Sequence, residues 1–408
     1  MIVPLRSAVA DTCGGKAGAL GALLRAGLPV PGGCVVPLAA YRAAVRDLDL
    51  GADRRRAIEA LPVHAALIDA LGHALGELGD PPVAVRSSAA HEDTGQASAA
   101  GQHDSFLGVR GAGAVADAVR ACWASLFTSR AMDYHRGAAG DRAMAVLVQR
   151  HLDADVSGVM FTPADPHDPI RIEASWGLGP SVVGGTVTPD AYRVAADGTV
   201  TRRLAHKRTR LDRRGTRLVT SDVPAAARDQ PTLDDATAGL LAELGKRIAA
   251  VRGGPQDVEW AIADGRPWIL QARPVTATPP AWPAPAATGL TGTPGSRGVV
   301  TGTARIIRGP RDFARARPGD IIVCPFTDPA WTPLLRIAAG VVTETGGVLS
   351  HAAIVAREHG IPAVLGVPDA TRRLHDDSTI TIDGTNGTVT DRKETGSGPI
   401  QAPRPTRP

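Results

Sequence analysis

A mixed α/β (α+β) fold in more than one domain is predicted by three features of the sequence. The 408 residues exceed what a single core fills. Helical apolar spacing alternates with short runs of small and β-branched residues. A Pro/Ala-rich, charge-poor stretch, TATPPAWPAPAATG at 276–289, reads as a semi-rigid linker. The expected organisation is a large domain at 1–275, the linker at 276–289, a compact domain at 290–392, and a disordered tail at 393–408 that ends ETGSGPIQAPRPTRP.

In chain order, AGALGALLRAGL (17–28) has the spacing of an amphipathic helix ended by Pro29. PPVAVRSSA (81–89) contains a short strand, and AVADAVRACWASLFTSRAMDYHR (114–136) reads as one long helix. MAVLVQRHL (144–152) and VSGVMFTP (156–163) read as strands paired with each other. QDVEWAIADGRPWILQARPVT (256–276) reads as two strands joined by a turn at Asp264-Gly265. In the second domain GVVTGTARII, DIIVCP, GVVTET and STITIDG read as strands, with helices at WTPLLRIAA and SHAAIVAREHG. There is no internal repeat.

Composition excludes several classes. Hydrophobic residues are 43% and charged residues 21% of the chain, as in an ordinary soluble domain. The formal charge of +4 is small, and the basic stretch LAHKRTRLDRRGTR (204–217) carries no aromatic residue. Nucleic acid is therefore not an expected partner, and a solvated hairpin is the simpler reading. Cys13, Cys34, Cys122 and Cys324 are far apart and form no CxxC pair, which fits a reducing, cytoplasmic setting without disulfides or zinc. No signal peptide or membrane-spanning run is seen, so no membrane is expected.

Chemistry is most legible at TETGGVLSHAAIVAREHGIPAVLG (343–366). Ser350 is a favourable N-cap, which places His351 at or near the first helical position, and Gly360 followed by Ile-Pro ends the helix. Gly346 and Gly347 let backbone approach the same spot. The positive end of the helix dipole would favour an anion and lower the imidazole pKa, leaving a lone pair for nucleophilic attack and a place to hold a phosphoryl group. A merely capping or packed histidine would look similar as an isolated Ser-His pair. The glycine turn, preceding strand and following helix weigh against that reading.

The N-terminal part contains residues suited to a phosphoryl donor. Lys16 follows a glycine pair and precedes a helix, although the P-loop spacing is absent and a surface lysine has the same signature. Arg86 leaves a strand with a planar donor fork suited to phosphate; pairing with Glu92 or Asp93 is the competing reading. Strand alternation puts Asp257, Glu259 and Ala261 on one face, and Gln271 and Arg273 on one face of the next strand. Such a set could hold Mg2+ and nucleotide phosphates, or be ordinary polar alternation on an exposed sheet.

Residues 343–366 resemble the phosphohistidine motif of the PEP-utilising enzymes, the family of phosphoenolpyruvate synthase, pyruvate phosphate dikinase and rifampin phosphotransferase. GGKAGAL, VAVRSSA, CWASLFTSRA, VLVQRHLDADVSGVMFTPADP, EASWGLG with TPD, and QDVEW with LQARPV resemble, in the same order, that family's ATP-grasp-type nucleotide-binding domain. The resemblance covers nearly the whole chain. It implies that His351 carries the phosphoryl group on a swivelling domain, and that Lys16, Arg86 and Arg130 contact ATP phosphates. It further implies that Glu259 and Gln271 bind Mg2+, that Arg273 supports phosphoryl transfer, and that Gln149 lies near the nucleotide. Two positions depart from the family pattern: Leu349 stands where a Thr is usual, and Ala99 where the loop S-F-A-G-Q has Phe, with Gly101 and Gln102 kept.

The activity implied is an ATP-dependent dikinase-type phosphotransfer. Histidine attacks the β-phosphate, AMP leaves, the terminal phosphate is lost to water or phosphate, and the remaining phosphoryl group passes to an acceptor. The first expectation for that acceptor is a small hydroxyl compound, such as a nucleoside, sugar or antibiotic intermediate, bound between the two domains. One alternative is the ATP and phosphohistidine half of a split phosphoenolpyruvate synthase, with its pyruvate-binding barrel on a separate acceptor-domain protein. Another is a non-catalytic nucleotide-binding phosphocarrier module.

Overall fold

The computed structural model describes residues 2–46, 48, 53–89, 105–128, 143–275 and 289–391. Arg130, Ala99, Gly101, Gln102, Glu92, Asp93, most of the expected linker and the expected tail lie outside them. The chain divides into two compact units, Met1–Thr278 and Pro279–Pro408.

In the first unit the described strands are β1 (Val3–Pro4), β2 (Gly33–Val36), β3 (Val83–Ala89), β4 (Ser105–Val109), β5 (Met144–Arg150), β6 (Val156–Phe161), β7 (Ile170–Trp176), β8 (Asp190–Val194), β9 (Val200–Arg203), β10 (Thr209–Arg214), β11 (Arg217–Asp222), β12 (Gln256–Ala263) and β13 (Arg266–Pro274). The described helices are α1 (Ala10–Arg25), α2 (Leu38–Val45), α3 (Arg54–Glu59), α4 (Ala65–Glu77), α5 (Ala112–Ser125), the short α6 (Pro180–Val183) and α7 (Asp235–Arg252). One sheet has the order β1-β2-β5-β3-β4 and a second the order β13-β12-β6-β7-β8-β9. Both are antiparallel.

Two expectations are corrected here. The strands at 144–152 and 156–163 do not pair. β5 lies between β2 and β3 in the first sheet, while β6 lies between β12 and β7 in the second. The intervening residues carry the chain from one sheet to the other, so proximity in sequence misled. The long helix expected at 114–136 ends at Ser125, whose hydroxyl donates to the Cys122 carbonyl, with Thr128 donating in turn to the Ser125 carbonyl. Such local hydroxyl-to-backbone bonds compete with helix propagation.

One apolar core joins both sheets, taking in Leu20 and Leu23 from α1, Val119 and Trp123 from α5, Leu147 from β5, and Val258 and Trp260 from β12. Because Val258 and Trp260 face this core, Asp257 and Glu259 face away from it. α7 is closed at both ends by its own sequence: Asp234 accepts from Thr237 N at 2.8 Å, and Gly253 adopts the left-handed conformation at φ 76.

The basic stretch at 204–217 does form a hairpin, β10–β11, but Lys207 just before it is buried. Its ammonium donates to Asp190 Oδ1 at 2.6 Å, with both side chains wholly inaccessible. Asp190 also accepts from Ala205 N and from Thr232 N and Oγ1. Removing one partner of so dry a pair strands the other charge.

In the second unit the strands are β14 (Leu290–Thr291), β15 (Thr293–Ser296), β16 (Val299–Ile306), β17 (Ile321–Cys324), β18 (Gly340–Thr343), β19 (Ala363–Leu365), β20 (Thr379–Asp383) and β21 (Thr388–Asp391). The helices are α8 (Thr332–Ile337), α9 (His351–Glu358) and α10 (Ala370–Arg373). The sheet order is β14-β21-β20-β16-β17-β18-β19-β15, with β16 through β19 parallel. β17 and β18, buried throughout, have the continuous apolar character expected of central parallel strands. Among the described residues no helix is long and apolar enough to cross a membrane.

Lys207→Ala is expected to lower unfolding stability by about 3–5 kcal/mol, the cost of leaving Asp190 charged and unpaired in the interior. Guanidinium unfolding followed by tryptophan fluorescence would measure it; a loss below about 1 kcal/mol would show that the pair contributes little.

Candidate functional site

Two clusters gather the residues singled out from the sequence, one in each unit. In the first, β12 and β13 pair so that Asp257 stands opposite Arg273 and Glu259 opposite Gln271. The alternation expected of these strands is thus observed. The ladder shifts between Glu259 and Trp260: the next pair is Trp260 with Ile269, so Leu270 is an extra residue on β13. Its carbonyl accepts from Arg86 Nη1 at 2.8 Å.

Arg86 reaches these strands from β3, in the other sheet. Its Nη2 donates to Gln271 Oε1 at 2.7 Å and to Glu259 Oε2 at 3.2 Å. Among the described residues its carboxylate partner is Glu259, 173 positions away; Glu92 and Asp93, weighed from sequence, lie outside them. Arg273 is held separately, with Nε and Nη2 both donating to Asp257 Oδ2 at 2.9 and 2.8 Å. Arg273, Asp257 and Gln271 are all buried.

Lys16 is placed by the glycine pair before it. Gly14 breaks α1 with φ 77 and ψ 167, and a Cβ there would lie 2.0 Å from the Ser88 carbonyl oxygen. Only glycine can lie this close to β3 in this conformation. Ser88 Oγ fastens the turn, donating to the Cys13 carbonyl and accepting from Ala17 N. Lys16, buried, donates to the Ser87 carbonyl at 2.9 Å, next to Arg86 in the chain. It is not the exposed lysine that its isolated sequence context allowed.

Gln149 on β5 is registered with Ala84 of β3, on the face that carries Arg86, and its amide donates to the Pro31 carbonyl at 3.1 Å. Lys16, Arg86, Glu259, Gln271 and Arg273 are thus brought to one region of the first unit by β3, α1 and the β12–β13 pair. Carboxylate and amide oxygens are hard donors of the kind Mg2+ takes, and the guanidinium fork bonded to both shows that these two oxygens accept a positive charge together. No group of three or more His, Cys, Asp or Glu that could hold a metal occurs among the described residues. A cation here would therefore share its coordination between this pair, phosphate oxygens and water.

The second cluster surrounds His351, the first residue of α9. Ser350 occupies the N-cap position, but its hydroxyl makes no capping bond; it donates instead to the Gly347 carbonyl at 2.8 Å. Arg357 braces the loop ahead of the helix by donating to the Val348 and Gly295 carbonyls. Gly346 has φ 109, and Leu349, the departure from the family pattern, is buried.

The imidazole lies between two threonines that the sequence reading missed. Thr327 Oγ1 is 2.8 Å from Nδ1, and Thr332 Oγ1 is 3.5 Å from Nε2. Thr327 follows β17 and His351 follows β18, so both come off the carboxyl ends of neighbouring parallel strands, where open α/β sheets place ligand sites. The adjoining Asp-Pro, with Asp328 accepting from Ala330 N, was the local sign that this loop is ordered.

Burial pushes the His351 pKa down to about 4. The direction is the one expected from the sequence, and its cause is desolvation by burial. A neutral ring whose Nδ1–H is given to Thr327 presents its lone pair at Nε2, beside the long Thr332 contact. Nothing in such a ring resists attack on phosphorus except access.

Residues 51–289 match the pyruvate phosphate dikinase AMP/ATP-binding domain family, and residues 316–387 the PEP-utilising enzyme mobile domain family. The chain is 38% identical over 415 residues to a probable phosphoenolpyruvate synthase of Methanothermobacter thermautotrophicus, covering 92% of this chain and 61% of that protein. It is 34% identical to a probable phosphoenolpyruvate synthase of Archaeoglobus fulgidus and 34% identical to a phosphoenolpyruvate synthase of Aeropyrum pernix, covering 92% of this chain and 56% of each relative. It therefore spans less than two thirds of the length of these relatives. With more than half of its residues in the matched AMP/ATP-binding region and the mobile-domain match following it, the chain belongs to the PEP-utilising enzyme family of pyruvate phosphate dikinase AMP/ATP-binding domains.

Proposed function

We propose that this chain performs the ATP-consuming half of a phosphoenolpyruvate-synthase-type reaction, charging His351 with phosphate. The observation that carries this reading is the buried, neutral imidazole at the start of α9, held at Nδ1 by Thr327, in a chain that also carries the family's ATP-binding domain.

His351 Nε2 attacks the β-phosphorus of ATP, the bond to the α,β-bridging oxygen breaks, and AMP leaves. The terminal phosphoryl group is then lost to water or phosphate, leaving phosphohistidine. Lys16, Arg86 and Arg273 hold phosphate oxygens by charge-assisted bonds, which is most of what phosphoryl transfer asks of a protein. Glu259 and Gln271 would hold Mg2+, which when bound would neutralise phosphate charge. Gln149 supports the same sheet face near the nucleotide, and Arg130, outside the described residues, is proposed as a further phosphate contact. The unit bearing His351 moves between donor and acceptor, with residues 276–289 as its tether.

For the acceptor, the relatives' names favour pyruvate over the nucleoside, sugar or antibiotic hydroxyl of the first expectation. The pyruvate-binding part is proposed to lie outside these 408 residues.

Incubation with ATP labelled at the β-phosphate and Mg2+ is expected to release AMP and to leave acid-labile label on the peptide containing His351. His351→Asn should lower that labelling by roughly a thousandfold or more while calorimetry still detects ATP binding. ADP as the product, or label retained in the variant, would refute the mechanism. Labelled protein should lose its phosphate to pyruvate when the remaining C-terminal part of the Methanothermobacter relative is added; discharge by a hydroxyl compound instead would restore the first expectation.

The pH behaviour follows from burial. Between pH 6.5 and about 4 the unfolded chain binds a proton at this histidine and the folded protein does not. The contribution to stability is therefore full above 6.5 and lost as pH falls toward 4. In an NMR titration the His351 ring signal, identified by its absence in His351→Asn, should stay flat from pH 7.5 to about 5. A midpoint near 6.5 would show an ordinary solvated imidazole.

A further inference from the structure

The oxygens proposed for Mg2+ already serve another cation. Arg86 Nη2 donates to both Gln271 Oε1 and Glu259 Oε2, while Nη1 is anchored on the Leu270 carbonyl that the bulge releases. The pair is shielded, with the Arg86 side chain 13% and that of Glu259 22% exposed. A divalent ion would need Gln271 Oε1 and a Glu259 carboxylate oxygen at about 2.1 Å, where the guanidinium opposes it by volume and by like charge. Arg273, on the same strand as Gln271, is held by the Asp257 carboxylate. The cluster thus contains one arginine on Asp257 and one, Arg86, on the oxygens proposed for the metal.

We propose that Arg86 is an internal counter-cation that gates metal entry. Metal alone meets oxygens already satisfied by the guanidinium. Nucleotide phosphate offers Arg86 a doubly charged, two-point acceptor in exchange, and its transfer to phosphate frees Glu259 and Gln271. Metal and nucleotide therefore load together, each strengthening the other's binding through one side chain. The inference rests on the proposed role of Glu259 and Gln271 as ligands.

The test is Mn2+ binding to the full chain, followed by electron paramagnetic resonance, with and without α,β-methylene-ATP. The wild-type protein should bind Mn2+ at least roughly tenfold more tightly with the analogue. Arg86→Ala without nucleotide should bind Mn2+ at least roughly tenfold more tightly than wild type, and Arg86→Ala with Glu259→Gln should lose the gain. Arg86→Gln, which keeps a donor for the Leu270 carbonyl without the charge, should show the same gain if Arg86→Ala fails to fold. Unchanged Mn2+ affinity in the soluble Arg86 variants overturns the gate. If Glu259→Gln alone abolishes Mn2+ binding with the analogue while the Arg86 variants show no gain, the ligand assignment survives and only the gate falls. If Glu259→Gln changes nothing, the assignment itself falls, and the gate with it.

Discussion

Where β13 takes on one residue more than β12, the Leu270 carbonyl leaves the ladder and points to Arg86. The register on either side of that bulge keeps Glu259 opposite Gln271 and Asp257 opposite Arg273, with Val258 and Trp260 pinned in the core behind them. Two sheets are then tied together by one guanidinium, whose fork satisfies a carbonyl, an amide and a carboxylate at once. A slip of one residue in this pairing would turn Glu259 into the core and bring Trp260 out, so the apolar face holds the polar face in place. The charged cluster is as much a product of the core as of its own attractions.

His351 is governed by a different constraint. Its loop is closed by bonds among its own backbone and side chains, from Ser350 to Gly347 and from Arg357 to Val348 and Gly295. The ring is buried, and among the described residues it is the hydroxyls of Thr327 and Thr332 that reach its nitrogens. That surrounding keeps the imidazole uncharged, because protonating it away from water is costly. A carboxylate in the position of Thr327 would raise the basicity of the ring and keep it protonated nearer neutrality, working against nucleophilic attack.

Several readings made from the sequence were altered by packing. β5 and β6 look like a hairpin because only five residues separate them, yet each finds its partners elsewhere, in the core shared by the two sheets. Lys207 sits in a run of basic residues and would be placed in solvent by composition, yet Asp190, 17 positions earlier, holds it in the interior. The bonds around Thr327 and Thr332 carry no periodic signature, since a hydroxyl near a histidine is visible only after β17 and β18 lie side by side. Arg86 meets Glu259, Gln271 and the Leu270 carbonyl, partners 173 to 185 positions away that its neighbours in sequence do not announce.

What the sequence by itself determined is local: the alternation that puts Asp257 with Glu259 and Gln271 with Arg273, the glycine turn before Lys16, and the helix start that places His351 first. These follow from periods of two and 3.6 residues and from the special freedom of glycine, which act over a few positions. Only the tertiary structure decided which arginine meets which carboxylate, and how dry the histidine is. Charges of equal strength are interchangeable along a chain, and desolvation is a property of everything packed around a group. Both depend on distances that exist only once the sheets have closed on their cores.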